Sequence, residues 1–147
     1  YSGFEYRGVK PLCCGGKGDQ RMSRARMRNH FIAAAIGSDN DAPDLVIPAF
    51  TCDAVRLYAA VREYALAQPR TKLQSESPDE NCICFVQRTA YWHFPDDVVA
   101  EITALENGDA ALMLSSKARY GMKDFGVNRR RVKRWIAALQ ARLTKET

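Results

Sequence analysis

The sequence predicts a single α+β domain in which an antiparallel sheet of four to five strands carries two helices on one face, preceded by an irregular N-terminal arm. Two segments repeat apolar residues at helical spacing, and short β-prone runs lie between them. An Asn107–Gly108 pair marks a hairpin between the last two runs. With 147 residues, 46% of them hydrophobic, the chain can bury a core without metals or disulfides.

Residues 1–43 are expected to form an extension to the α+β domain of residues 44–147. Residues 1–19 are rich in glycine and show no periodicity, which predicts an irregular arm. The segment Arg21–Ile36 has a rough apolar stripe and is predicted to form a short helix. The chain begins with Tyr1 rather than methionine, so we expect a processed product or a fragment, and removal of a targeting peptide is one explanation.

The domain is predicted to open with an edge strand at Asp44–Pro48, followed by a helix. Thr51 or Asp53 can cap that helix, and Pro69 ends it. Its apolar face has the i, i+3, i+4, i+7 spacing and consists of Ala54, Leu57, Tyr58, Val61 and Tyr64.

Four strands and a closing helix follow. The strands are predicted at Thr71–Glu76, Cys82–Arg88, Val98–Leu105 and Ala110–Ser116. Asn128 is the predicted N-cap of the helix. The apolar stripe of the helix is Val132, Trp135, Ile136, Leu139 and Leu143.

Charge is distributed unevenly along the chain. Residues 75–109 hold eight acidic residues and one basic residue, whereas residues 110–145 hold ten basic residues and one acidic residue. The basic run Arg129–Arg134 lies opposite an apolar stripe and has no interleaved aromatics on its own face, as expected of a solvated helix face rather than of a nucleic-acid-binding module. No apolar run is long enough to cross a membrane. The expected partners are therefore proteins, with no nucleic acid and no transmembrane segment.

The cysteine pattern predicts neither a metal nor a cofactor. Five cysteines and two histidines lack the spacing of a zinc site. Cys82 and Cys84 are expected to lie on one face of a strand as buried thiols. In an oxidising compartment, Cys13 or Cys14 could pair with Cys52.

The segment 116–131, Ser-Lys-Ala-Arg-Tyr-Gly-Met-Lys-Asp-Phe-Gly-Val-Asn-Arg-Arg-Arg, joins the last strand to the last helix. It resembles the hallmark of the domain of unknown function 1499 family, which reads approximately R-S-x-S-R-x-G-x-x-D-x-G-V-N-x-x-R. Phe94-Pro95-Asp96-Asp97-Val98 resembles the second marker of that family, and the resemblance extends over about residues 44–143. Ser115 and Ala118 depart from the pattern, and the usual upstream Cys-Pro-x-Ser-Pro-Asn-Cys-Val-Ser stretch is missing.

Two interpretations of the loop before the last helix remain open. In the structural one, Gly121 and Gly126 provide the backbone turn, Asp124 accepts backbone N–H bonds or pairs with Arg119, and Asn128 caps the helix. Asp96 and Asp97 then form a salt link to Arg119 or Arg130. In the functional one, three arginines converge with Asn128 on an anion at the helix N-terminus, namely Arg119, Arg129 and Arg130.

The resemblance implies a location outside the cytoplasm, because many members of this family are exported, membrane-anchored or plastid-targeted. A thylakoid lumen, another plastid compartment or a bacterial periplasm would fit. Two functions follow as hypotheses. One is a non-catalytic accessory subunit of a larger membrane-associated complex, such as a photosynthetic one. The other is a small enzyme or anion-binding domain with a pocket at the N-terminus of the last helix.

Overall fold

The computed structural model describes residues 30–35, 43–119 and 126–145. Within these ranges six strands form one sheet, accompanied by two α-helices and one 3-10 turn, Pro78–Glu80. The strands are β1 His30–Ala35, β2 Leu45–Ile47, β3 Thr71–Ser77, β4 Cys82–Arg88, β5 Pro95–Ala104 and β6 Ala110–Ala118. The helices are α1 Ala54–Leu66 and α2 Val127–Lys145.

The strand order in the sheet is β2-β1-β6-β5-β4-β3. Strands β3 to β6 form an antiparallel meander, and β1 adds antiparallel to the outer side of β6. Strand β2 pairs with β1 in parallel, so the sheet is mixed. The α+β prediction is confirmed, with six strands in place of four to five and one parallel pair.

The core lies between the sheet and the two helices. Along β5 the residues facing the helices are Val98, Ala100 and Ile102, which alternate with half-buried residues of the other face. Every residue of the predicted stripe on α2 is buried. The four strands predicted from Thr71 onward are all present, although β5 begins at Pro95 rather than Val98, because Asp96 and Asp97 pair with β6.

The prediction of a helix over Arg21–Ile36 is wrong for residues 30–35, which form β1. Ala33 pairs with Leu114 of β6 and is completely buried in the core. This short apolar run forms a strand because it pairs with β6, which is distant in sequence. The spacing of apolar residues within the run does not reveal such a pairing. The sheet therefore includes residues of the expected extension. Residues 21–29 and 36, and the arm predicted for residues 1–19, lie outside the described residues.

Of the two predicted cap residues of α1, Asp53 is the N-cap, and its Oδ1 accepts a hydrogen bond of 2.8 Å from the backbone N–H of Arg56. The Tyr58 hydroxyl donates to Glu76 Oε1 of β3 at 2.8 Å, and Arg62 Nε lies 3.0 Å from the same oxygen. Hydrogen bonds to Glu76 hold the pKa of its carboxyl below the usual range. The bond from Arg62 has the largest effect, followed by the bond from Tyr58. These contacts attach the polar side of α1 to β3.

The cysteines differ from the expectation at two points. Cys84, buried on β4, is disulfide-bonded, and its partner lies outside the described residues. Cys82 carries a thiol, as predicted, and so does Cys52. Pairing of Cys13 or Cys14 with Cys52 is therefore wrong. A disulfide that persists is characteristic of an oxidising compartment.

Candidate functional site

A buried polar cluster joins the first turn of α2 to the sheet. Its centre is the guanidinium of Arg131, a residue that is only 4% exposed. Arg131 Nη1 lies 2.9 Å from Asp96 Oδ2, and it donates to Ser116 Oγ and to Asn128 Oδ1, each at 2.9 Å. Arg131 Nε donates to Gln87 Oε1, and Ser116 Oγ donates to Asn128 Oδ1 at 2.6 Å. These five are the buried polar residues among those that the structure describes.

The cluster continues rows of core residues towards one end of the sheet. Gln87 follows Phe85 by two residues, and Ser116 follows Leu114 by two, so each side chain points to the helix-covered face. Asp96 occupies the same face of β5. Polar groups buried at these positions need partners, and Arg131 supplies them.

Arg131 was not among the predicted site residues, although two signals point to it. It lies four residues before Trp135, so it falls within the buried stripe of α2 rather than on the exposed face of the basic run. It is also the last residue of the hallmark pattern quoted above. Gln87 and Ser116 could be found from strand parity, because each stands two residues beyond a core position.

Asn128 lies inside the first turn of α2 rather than at the predicted cap position. The helix begins at Val127, and the backbone N–H of Arg130 donates to the carbonyl of Gly126 at 3.0 Å. The Asn128 side chain is fully buried and is used within the polar cluster. Gly126 has φ +80°, a left-handed conformation that glycine adopts readily.

Arg119 and Asp97 form an ion pair on the opposite face of the sheet. Asp97 follows Asp96 on β5, so its carboxylate points away from α2. Arg119 Nη2 lies 2.5 Å from Asp97 Oδ1, and the side chains are 37% and 36% exposed. Arg119 also donates to Gln74 Oε1 at 3.2 Å. The predicted salt link of the aspartate pair to Arg119 is present at Asp97, whereas Asp96 pairs with Arg131 rather than with Arg130.

The three arginines of the predicted anion site are directed to different places. Arg119 is bound on the face opposite α2, as described. The guanidinium of Arg129 lies over the ring of Phe31 in β1, 6.0 Å from its centroid. Arg130 Nη1 lies close to Gly126: a Cβ atom added to Gly126 would be 3.0 Å from this nitrogen. Gly121 and Asp124, the other predicted residues of this loop, lie outside the described residues.

His30 is the first residue of β1 and lies opposite Lys117 of β6. Burial, and secondarily the charge of Lys117, lower the pKa of His30 to about 4, and Asp44 opposes that change. The imidazole is thus neutral at physiological pH. The Asp44 carboxylate accepts a hydrogen bond of 2.9 Å from the backbone N–H of Ile32, which fixes the start of β2 beside β1.

Neither a metal cluster nor a membrane-spanning helix is found in residues 30–35, 43–119 and 126–145. No three His, Cys, Asp or Glu side chains there are grouped so that they could hold a metal ion. Neither α1 nor α2 has the length and hydropathy needed to cross a bilayer.

The model of one protein family, described as protein of unknown function (DUF1499), matches residues 20–139. The chain belongs to the DUF1499 family. No curated protein matches the sequence. The match begins ahead of β1, in agreement with the inclusion of β1 in the sheet.

Four of the five residues of the buried polar cluster belong to the sequence pattern of the family. Ser116, Asn128 and Arg131 are hallmark residues of the DUF1499 pattern, and Asp96 belongs to its second marker. The structure brings these four together in direct contact. Hydrogen bonds within the cluster, together with the ion pair between Asp96 and Arg131, explain their residue types without any ligand.

Proposed function

We propose that this DUF1499 protein is a non-catalytic accessory subunit that docks on a larger, membrane-associated protein assembly. The contact surface is the exposed basic face of α2. This basic face consists of Arg129, Arg130, Lys133 and Arg134, all of them exposed.

The observation that carries the proposal is the clustering of four exposed cations in the first eight residues of α2, two of which, Arg129 and Arg130, lie in the first turn at the positive end of the helix dipole. No residue of α2 is acidic, so the helix itself contains no anion to balance them. Cations in the first turn oppose the macrodipole, and each such mismatch costs roughly 0.3–1 kcal/mol. Residues that violate local stability rules in this way are expected where they serve a partner. An acidic protein surface would turn the unfavourable charge into a favourable contact.

Two further observations support an accessory role outside the cytoplasm. The Cys84 disulfide fits an oxidising compartment such as a lumen or periplasm. Adjacent carboxylates such as Asp96 and Asp97 can act as acid and base in an enzyme, but here both are bound to guanidinium groups. Asp96 pairs with Arg131 and Asp97 with Arg119, which suits a structural role.

The test is native purification of the tagged chain after mild detergent extraction, with separation of complexes by size. We expect the wild-type chain to migrate with a large membrane-derived complex. The charge-reversal variant Lys133→Glu with Arg134→Glu should migrate as a monomer while retaining its circular dichroism spectrum. Lys72→Glu, which reverses an exposed cation on β3, is the matched control and should migrate like the wild type. Migration of the wild-type chain as a monomer would overturn the proposal.

A second candidate function, binding of a small anion at the start of α2, is favoured by the neighbouring positions of Arg129 and Arg130 at the dipole end. Calorimetric titration with inorganic phosphate at low ionic strength tests it. Saturable heat that disappears in Arg130→Gln supports this function. Absence of heat with the wild-type protein rules it out for phosphate.

A further inference from the structure

The hairpin between β4 and β5 carries three exposed aromatic rings, Tyr91, Trp92 and Phe94, here called the aromatic tip. Their exposed fractions are 78%, 67% and 48%. Tyr91 and Trp92 meet edge to face with centroids 4.7 Å apart, and Trp92 stacks on Phe94 with centroids 6.2 Å apart. Single exposed apolar residues are common, but a contiguous patch of this kind marks an interaction surface.

The backbone of the hairpin holds these rings outward. The Phe94 N–H donates to Thr89 Oγ1 at 3.0 Å, and the His93 N–H donates to the Thr89 carbonyl at 3.1 Å. Arg88 Nη1 donates to the His93 carbonyl at 2.9 Å. His93 has φ +59°, a left-handed conformation that a non-glycine residue adopts only where its surroundings impose it. The tip is therefore preorganised for contact.

Basic residues surround the tip at this end of the sheet. Arg88 ends β4, and Arg70 lies beside it, with Nε donating to the Arg88 carbonyl at 3.1 Å. Lys117 lies at the end of neighbouring β6. Among the described residues of strands β3 to β6, the acidic ones at this end are Asp96 and Asp97, whose carboxylates are each paired with an arginine.

The other acidic groups of the meander lie at the opposite end of the sheet. The two turns there, β3–β4 and β5–β6, contain four acidic residues, Asp79, Glu80, Glu106 and Asp109. The meander is thus polarised, with cations and aromatic rings at one end and anions at the other. An anionic surface would attract the first end and repel the second, which orients the domain end-on.

We propose that the aromatic tip inserts into the headgroup region of an anionic lipid bilayer, while Arg70 and Arg88 bind lipid phosphates. Trp and Tyr favour that region because their rings are apolar and their N–H and O–H groups remain hydrated. Clustered cations add attraction to anionic lipid. The charge distribution favours lipid over a symmetric dimer that joins two tips, since two basic ends would repel each other. The proposal does not depend on the accessory-subunit function, because it concerns the chain alone.

Vesicle flotation with the purified full chain tests this inference. We expect the protein to float with vesicles of phosphatidylcholine mixed with phosphatidylglycerol, to float weakly with phosphatidylcholine alone, and to be released by salt. Trp92→Ser with Phe94→Ser should lower the partition constant by at least about tenfold. Val55→Ser is the matched control, because Val55 is 78% exposed on α1, away from the tip.

Tryptophan fluorescence locates the contact. The chain has two tryptophans, the exposed Trp92 and the fully buried Trp135. Emission should shift to shorter wavelength when anionic vesicles are added, and Trp92→Phe should abolish the shift while retaining flotation. Absence of flotation, equal flotation of the Trp92→Ser/Phe94→Ser variant, or a shift that survives Trp92→Phe would overturn the proposal. So would a wild-type dimer in solution that the same double substitution converts to monomer.

Discussion

Arg131 and Asp96 form an ion pair of 2.9 Å whose side chains are 4% and 3% exposed. A buried pair of this kind contributes little compared with a well-packed apolar pair, but the loss of one partner leaves a charge in the interior. The pair connects α2 to β5, so its integrity determines how firmly the helix is held on the sheet.

Replacement of Arg131 by alanine should lower the free energy of unfolding by about 3–5 kcal/mol, because the Asp96 carboxylate stays buried without its cation. Urea denaturation of the purified variant measures the loss. Arg134→Ala is the control, since Arg134 is exposed and should change stability by less than about 0.5 kcal/mol. Arg131→Met combined with Asp96→Leu should be more stable than Arg131→Ala. An Arg131→Ala variant as stable as the wild type would show that the pair is not buried in solution.

Asn128→Ala should cost about 1–3 kcal/mol, because it removes the acceptor that Ser116 Oγ and Arg131 Nη1 share. The effect should not add to that of Ser116→Ala, since both residues belong to one network. A double-mutant cycle monitored by thermal unfolding provides the measurement. Strict additivity of the two losses would contradict the shared network.

The ion pair between Arg119 and Asp97 should behave quite differently. Both side chains are more than a third exposed, so the coupling energy from a double-mutant cycle should stay below about 1 kcal/mol. The coupling should also shrink as salt is added, because solvent-exposed charges are screened. The Asp96–Arg131 pair, measured in the same series, serves as the salt-insensitive reference. A large, salt-independent coupling at Arg119 would contradict the exposed geometry.

His30 should make stability depend on pH. Its pKa is lowered in the folded chain from 6.5 to about 4, so between these values the unfolded chain binds more protons. Stability should therefore fall as the pH is lowered from 6.5 towards 4, and this contribution should be constant above 6.5. Comparison of wild type with His30→Gln by urea denaturation across that range isolates the effect. His93→Gln, on the exposed hairpin, provides the control.

The disulfide of Cys84 can be tested by peptide mapping without reduction. We expect Cys84 to be recovered in a disulfide-linked peptide, whereas Cys52 and Cys82 should be recovered as thiols. Reduction should lower the melting temperature, because a native disulfide contributes about 2–4 kcal/mol. Cys82→Ser should leave the link intact. Recovery of Cys84 as an unmodified thiol would refute the assignment.

The elements predicted correctly are those whose pattern is complete within a short window. Helix α1 and the strands of the meander have local periodicity, and the turn at Asn107–Gly108 has its own chemistry, with Gly108 at φ +94°. Strand β1 was missed because its stability comes from pairing with β6, far along the chain. A short apolar run by itself does not distinguish a strand from part of a helix.

The site was predicted only in part, for a related reason. Asp96, Asp97 and Asn128 stood out because turn and cap residues have recognisable types. Arg131 was assigned to an exposed basic run, although its spacing from Trp135 places it on the buried side. A charged residue in a core position is favourable only when its partners are in place, and those partners come from three different strands.

The position of β1 has a consequence for how the domain is made. This strand is synthesised before β2 to β5, whereas β6, its antiparallel partner, is synthesised after them. Until then only the short parallel strand β2 can pair with it, and its apolar residues remain open to wrong partners. We therefore expect the sheet to close only after β6 has been synthesised.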